Sequence, residues 1–136
     1  MTPQEKQVSK AFSTYWKAHF SRGKDAFEKV LSLWHPDITA IGTGKDEIVK
    51  TYNGFKKFLK REFEEVNTSM QVKILWTKVQ LQKDQALVLG ETEVIVSKKD
   101  NIKLRFRASS IFKKYKNNWL LYHIHASFPA SAQREN

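Results

Sequence analysis

The sequence predicts an α+β domain in which three N-terminal helices pack on a curved antiparallel β-sheet. Three observations carry this. Apolar residues recur at helical spacing as far as Val66, and from Ser69 the period changes to alternation. The alternating part divides into four long runs joined by short polar turns, the pattern of an antiparallel meander. The 136 residues have length for one core only, so helices and strands must bury their apolar sides against each other.

The first helix starts at Thr2-Pro3-Gln4-Glu5, which offers a Thr N-cap, proline in the first helical position and a glutamate to close a capping box. Val8, Ala11, Phe12, Tyr15 and His19 follow at helical spacing, with Trp16 and Phe20 widening the stripe, until Ser21-Arg22-Gly23 breaks it. A second helix carries Ala26, Phe27, Val30, Leu31 and Trp34 on one side and must stop before Pro36, because proline disfavours helical backbone in the residue before it. His35 to Thr43 reads as an extended segment ending in a Gly42-Thr43-Gly44 turn. After Asn53-Gly54 a third helix sets Phe55, Phe58, Leu59, Phe63 and Val66 against Lys56, Lys57, Lys60, Arg61 and Glu64.

In the first long strand Met70, Val72, Ile74 and Trp76 share one parity and Val79 and Leu81 the other. This predicts a β-bulge near Thr77-Lys78, the usual device for bending a long strand. Strands from Ala86 to Ser97, Ile102 to Tyr115 and Trp119 to Phe128 complete the sheet. The expected domain is therefore 1–129, with a flexible polar tail over 130–136.

Composition narrows the function. No cysteine is present, which excludes a disulfide framework and a thiol nucleophile. Glu5, Lys6, Lys10 and Lys17 interrupt the first twenty residues, so no signal peptide or membrane span is expected there, and the expected setting is cytoplasmic. A net charge of +10 raises the question of nucleic acid, but the basic clusters fall on a helix face and in turns without an aromatic or glycine-rich nucleic-acid motif. Nucleic acid is not the expected partner.

Two stretches carry a resemblance. The last strand reads Trp119-x3-His123-x-His125-x-Ser127-x-Pro129, preceded by Arg105-Phe106-Arg107-Ala108-Ser109 on its hairpin partner. The other is Leu33-Trp34-His35-Pro36-Asp37-Ile38-Thr39-Ala40-Ile41-Gly42, followed by Glu47 and Gly54. Both resemble SnoaL-like domains of the nuclear transport factor two-like superfamily, and also the association domain of the calcium/calmodulin-dependent protein kinases. The resemblance implies a cone-shaped fold with a pocket between helices and sheet, and a homodimer formed through the sheet. It does not imply one activity, because this fold serves isomerases, cyclases, dehydratases and assembly modules. Ketosteroid isomerase of this shape needs a carboxylate base and a protonated Asp beside a Tyr. Alignment of the motifs puts Gly42 and Ser109 at the two acid positions, leaving only Tyr15 with a counterpart, so that activity is not expected.

Strand parity places His123, His125 and Ser127 with Trp119, and Arg105, Arg107 and Ser109 together on the neighbouring strand. One reading is the polar wall of a ligand pocket, with an arginine holding an anionic group. The other is an outer sheet face buried in a dimer. Glu91 and Glu93 either face the pocket or pair across strands with Lys103, Arg105 or Arg107. Tyr15, Trp16 and Trp34 are candidates for the pocket mouth or for the core, and Asp37 for a cap at the crossing. No metal is expected, because no spacing brings His35, Asp37 or Glu91 to the His-x-His pair. No cofactor is expected either. The sequence thus points to a pocket protein for a small hydrophobic or anionic ligand, with no residue set completing a recognised mechanism. The alternative is a non-catalytic dimerisation or association module.

Overall fold

A computed structural model of the chain describes residues 1–42 and 44–129. Thr43, in the middle of the expected glycine turn, and the expected tail 130–136 lie outside the described residues. The elements run α1 (Pro3–Ser21), α2 (Gly23–Ser32), β1 (Trp34–Ile41), β2 (Ile48–Val49), α3 (Tyr52–Glu65), β3 (Gln71–Gln82), β4 (Gln85–Ser97), β5 (Ile102–Tyr115) and β6 (Asn118–Ser127). They form the expected three helices on one curved, unclosed sheet, with strand order β2-β1-β6-β5-β4-β3. The sheet is mixed rather than wholly antiparallel, because β1 pairs parallel with β6 and places Thr39 opposite His123 and Ile41 opposite His125.

Helix α1 begins as its capping residues dictate. Thr2 Oγ1 accepts from the Glu5 amide at 3.1 Å, and Glu5 Oε1 accepts from the Thr2 amide at 3.0 Å. Replacing Thr2 by alanine removes the acceptor of the Glu5 amide hydrogen, and we expect a loss of about 1 kcal/mol of stability. A lower urea midpoint at unchanged slope would register it, whereas an unchanged midpoint would mean that the first turn frays in the native protein. Helix α2 ends at Ser32, one turn sooner than the proline required, so Trp34 opens β1 as a buried strand residue. Thr51 caps α3, which puts Asn53-Gly54 inside its first turn rather than before it.

The core lies between the helices and the concave side of the sheet. Phe12 from α1, Val30 from α2, and Leu59 from α3 are wholly buried against Val88, Phe112 and Leu121 from the strands. Each fully buried side chain of this size contributes about 1.5–3 kcal/mol of transfer free energy. Two bulges decide which side chains share that core. In β3 the pairing slips between Ile74 and Trp76, two residues before the expected place, and turns Trp76 outward to 48% exposure. In β6 it slips between Leu121 and His123. One extra residue reverses the parity of everything that follows.

Candidate functional site

On the inner side, α1, α3 and the start of β1, with Arg22 between α1 and α2, bring a line of polar groups together among aromatic rings. Trp34 Nε1 donates to Tyr15 Oη at 3.3 Å, and Tyr15 Oη lies 3.2 Å from His19 Nδ1. His19 Nε2 stands 3.5 Å from Glu62 Oε2, and Arg22 Nη2 donates to Glu62 Oε1 at 3.4 Å. Because indole can only donate, Tyr15 Oη accepts from Trp34 and has its own hydrogen free to direct at His19 Nδ1, while His19 Nε2 faces Glu62. Burial pushes the Tyr15 phenol well above its usual range. Burial also pushes the Glu62 carboxyl up, but His19 and Arg22 together outweigh that and lower it to about 2. The arrangement holds a carboxylate, an imidazole and a phenol in hydrogen-bonding sequence, a geometry able to move or share a proton.

The inner space is closed by its own side chains. Phe12, Tyr15, Trp16, Phe106, Phe112 and Trp119 fill it, with Trp16 edge-on to Phe106 at 4.7 Å between centroids. Two clefts among the described residues open at the surface. One of about 410 Å³ lies between α1 and the start of β3, lined by Lys17, Ser21, Met70, Val72 and Lys73. No group of side chains among the described residues is arranged to hold a metal ion.

Of the residues expected to line a pocket, Tyr15, Trp16 and Trp34 do face the interior. The remainder do not, which corrects the grouping of His123, His125 and Ser127 with Trp119 and agrees with the outer-face alternative. The β6 bulge at Tyr122 separates Trp119 from the histidines, so Ile124 and Ala126 continue the inner face while His123, His125 and Ser127 point outward. Pairing across β4, β5 and β6 puts Glu91 opposite Arg107 and Arg107 opposite Ser127, with Ser109 opposite His125. All of these, with Arg105, stand on the outer face. Asp37 is exposed at the start of β1, where its amide donates to His35 Nδ1 at 3.0 Å.

The outer face has its own order. Arg105 Nη2 lies 3.6 Å from Glu93 Oε2, Trp76 Nε1 donates to Glu91 Oε1 at 2.9 Å, and Arg107 Nη2 donates to Ser127 Oγ at 3.4 Å. Thr39 Oγ1 sits 2.7 Å from His123 Nδ1. Burial, with His125 nearby, holds the His123 imidazole below its usual range. Half-buried Leu87, Leu89 and Ile111 lie among these polar groups.

Residues 8–131 match the family model of the SnoaL-like domain. No curated protein matches the chain. The fold is similar to an NTF2-like protein of unknown function from Pseudomonas putida, at TM-score 0.83 and 14% identity, over 100% of this chain and 94% of that one. A candidate dehydratase of the NTF2-like family from Streptomyces avermitilis gives 0.80 and 18%, covering 96% and 100%. The association domain of calcium/calmodulin-dependent protein kinase II from C. elegans gives 0.72 and 17%, covering 91% and 95%.

Proposed function

Because the chain belongs to the SnoaL-like domain family, whose shared fold leaves the activity open, we propose that it is a self-associating module that dimerises through the outer face of its sheet. The observation that carries this is a pair of opposite charge rows in the middle of that face, Glu91 and Glu93 on β4 beside Arg105 and Arg107 on β5. A two-fold contact uses the same patch twice, so the patch must complement itself. Each acidic row then lies over the partner's basic row, beside an apolar patch of Leu87, Leu89 and Ile111. Exposed Trp76 and Ile41 add apolar surface towards the two edges. Five strands about 4.8 Å apart and about ten residues long offer roughly 800 Å² per copy, the size of a stable contact. The filled interior counts against an open ligand pocket, and a similar fold serves as an association domain in the kinase named above.

Light scattering coupled to size-exclusion chromatography tests the reading. The native chain is expected to elute as a dimer at micromolar concentration. Glu91→Arg or Arg107→Glu should each weaken association by about 100-fold, since like charges juxtaposed at an interface cost several kcal/mol. The double variant should restore the dimer. Thermal melting separates this from misfolding, because exposed ion pairs contribute only about 0–1 kcal/mol to the fold. A native chain that stays monomeric at every concentration rejects the proposal.

A further inference from the structure

At one end of the sheet the apolar row of the inner face outruns the helices that cover it. Phe106 is 3% exposed, but Leu104 and Ile102, which continue its row along β5, are 47% and 46% exposed. Phe128, its ring 6.2 Å from that of Phe106, is exposed as well. Large apolar side chains exposed together mark a contact surface.

Ile102 and Leu104 stand at the base of the turn between β4 and β5, and that turn is built by its own hydrogen bonds. The Asp100 amide donates to Ser97 Oγ at 3.2 Å, Ser97 Oγ donates to Asp100 Oδ2 at 3.4 Å, and the Asn101 amide donates to the Lys98 carbonyl at 3.3 Å. Asn101 takes a φ of 53°, a left-handed conformation in which asparagine is enriched. The charges here are unbalanced. Glu93 is engaged by Arg105 and Asp100 by Ser97. Lys98, Lys99 and Lys103 are exposed and have no ion-pair partner among the described residues.

Two exposed aliphatic side chains are thus framed by three uncompensated lysines. A second copy of this surface would set lysine against lysine. A nucleic-acid backbone would match the lysines but leave the aliphatic side chains against phosphate. An anionic bilayer satisfies both: apolar side chains enter the boundary below the headgroups, while lysine stems reach back to keep their ammonium groups among the phosphates. The net charge of +10 draws the whole chain toward such a surface.

We propose that the β4–β5 hairpin docks the protein on an anionic lipid surface, with Ile102 and Leu104 entering the bilayer interface and Lys98, Lys99 and Lys103 meeting its headgroups. No described helix is long and apolar enough to cross a membrane, and this contact is with the membrane surface. Strand parity sends Ile102 and Leu104 to the side of the sheet opposite Glu91 and Arg107, so the docking does not depend on the dimer.

Sedimentation of the full chain with extruded vesicles tests this, comparing pure phosphatidylcholine with a mixture containing about one third phosphatidylserine. Only the mixture should carry the protein down in physiological salt. Lys98→Gln with Lys99→Gln should weaken binding about 25-fold, at about fivefold for each lysine near the surface. Ile102→Ser with Leu104→Ser should weaken it at least tenfold at an unchanged melting temperature. The chain has no cysteine, so Ile102→Cys can carry a polarity-sensitive dye, whose emission should shift to the blue on the mixed vesicles. The same dye on Gln82→Cys, at the far end of the sheet, should not shift. A native chain that ignores the mixed vesicles, or binds both kinds equally, would overturn the proposal. So would vesicle binding that survives the double serine variant, or an Ile102 dye that stays in water on vesicles carrying the protein. Either of these would reduce the contact to general attraction between a basic protein and any polyanion, nucleic acid included.

Discussion

Gly90→Ala is expected to destabilise the protein by about 2–3 kcal/mol, the upper part of what overpacking a well-filled core costs. A methyl group placed on Gly90 would lie 2.6 and 2.9 Å from the Cζ and Cε1 atoms of Phe12, and 3.2 Å from the carbonyl oxygen of Trp76. Neither neighbour yields easily. Phe12 is 0% exposed, and the Trp76 carbonyl belongs to the backbone of the adjacent strand. Glycine here lets the ring of α1 rest directly on the sheet, and it fixes how closely helix and strand approach. Gly90→Val should cost more still, a large fraction of the roughly 5–15 kcal/mol that holds a domain of this kind together. Combining Gly90→Ala with Phe12→Leu removes the obstructing ring atoms, so the double variant should be more stable than the sum of the single losses predicts. Urea unfolding of the four proteins measures this. Strict additivity would mean that the methyl group is accommodated elsewhere, and that Phe12 does not set the packing distance.

The same close approach explains which parts of the fold were legible beforehand. Helices announce themselves through caps and a 3.6-residue period, and Thr2-Pro3-Gln4-Glu5 specified the start of α1 to the residue. The four long strands followed from alternation and turns. Strand β2 was not legible, because the two residues Ile48–Val49 are too few to show a period. The parallel pairing of β1 with β6 joins segments some 85 residues apart, and nothing local in the sequence marks it. Bulges caused the largest error. The apolar parity in β3 did reveal a slip, but placed it after Trp76, whereas the slip between Ile74 and Trp76 separates Trp76 from the parity of Met70, Val72 and Ile74. In β6 the sequence Leu120-Leu121-Tyr122-His123 shows no break at all, since a bulge is a backbone event that several residue types permit. That single hidden residue separates His123, His125 and Ser127 from the face of Trp119, with which parity had grouped them, and leaves the outer-face reading of the two.

The inner polar line was partly visible. His19 sits in the apolar stripe of α1, which is where a buried polar residue draws notice. Glu62 follows Phe55 and Leu59 by seven and three positions, so it belongs on the buried flank of α3 despite its charge. What the sequence could not supply is their meeting, which depends on the packing of α1 and α3. Arg22 looked like part of a helix-breaking turn, and only the fold shows its side chain running inward.

Glu62→Ala should cost about 3 kcal/mol, because it leaves the Arg22 guanidinium, whose side chain is 3% exposed, buried with no carboxylate. The figure belongs at the low end for a buried pair, since the Glu62 side chain retains 33% exposure and water can reach it. Removing both charges together, as Arg22→Leu with Glu62→Leu, should cost less than Glu62→Ala alone, because a charge left without its partner is more damaging than the loss of the pair. The pH dependence gives a second, independent signature. Burial raises the Glu62 carboxyl, but contacts with His19 and Arg22 prevail and hold it at about 2, below its ordinary value of 4.5. Between these values the unfolded chain binds the proton more readily than the native one, so unfolding takes up protons and acid favours it. The contribution is complete above pH 4.5 and is lost as pH falls toward 2. Unfolding in urea at pH 7, 4.5 and 2.5 should therefore show a gap between native protein and Glu62→Gln that narrows in acid. A gap of constant size would mean that the carboxylate charge does no stabilising work, and that Glu62 holds Arg22 by neutral hydrogen bonding alone.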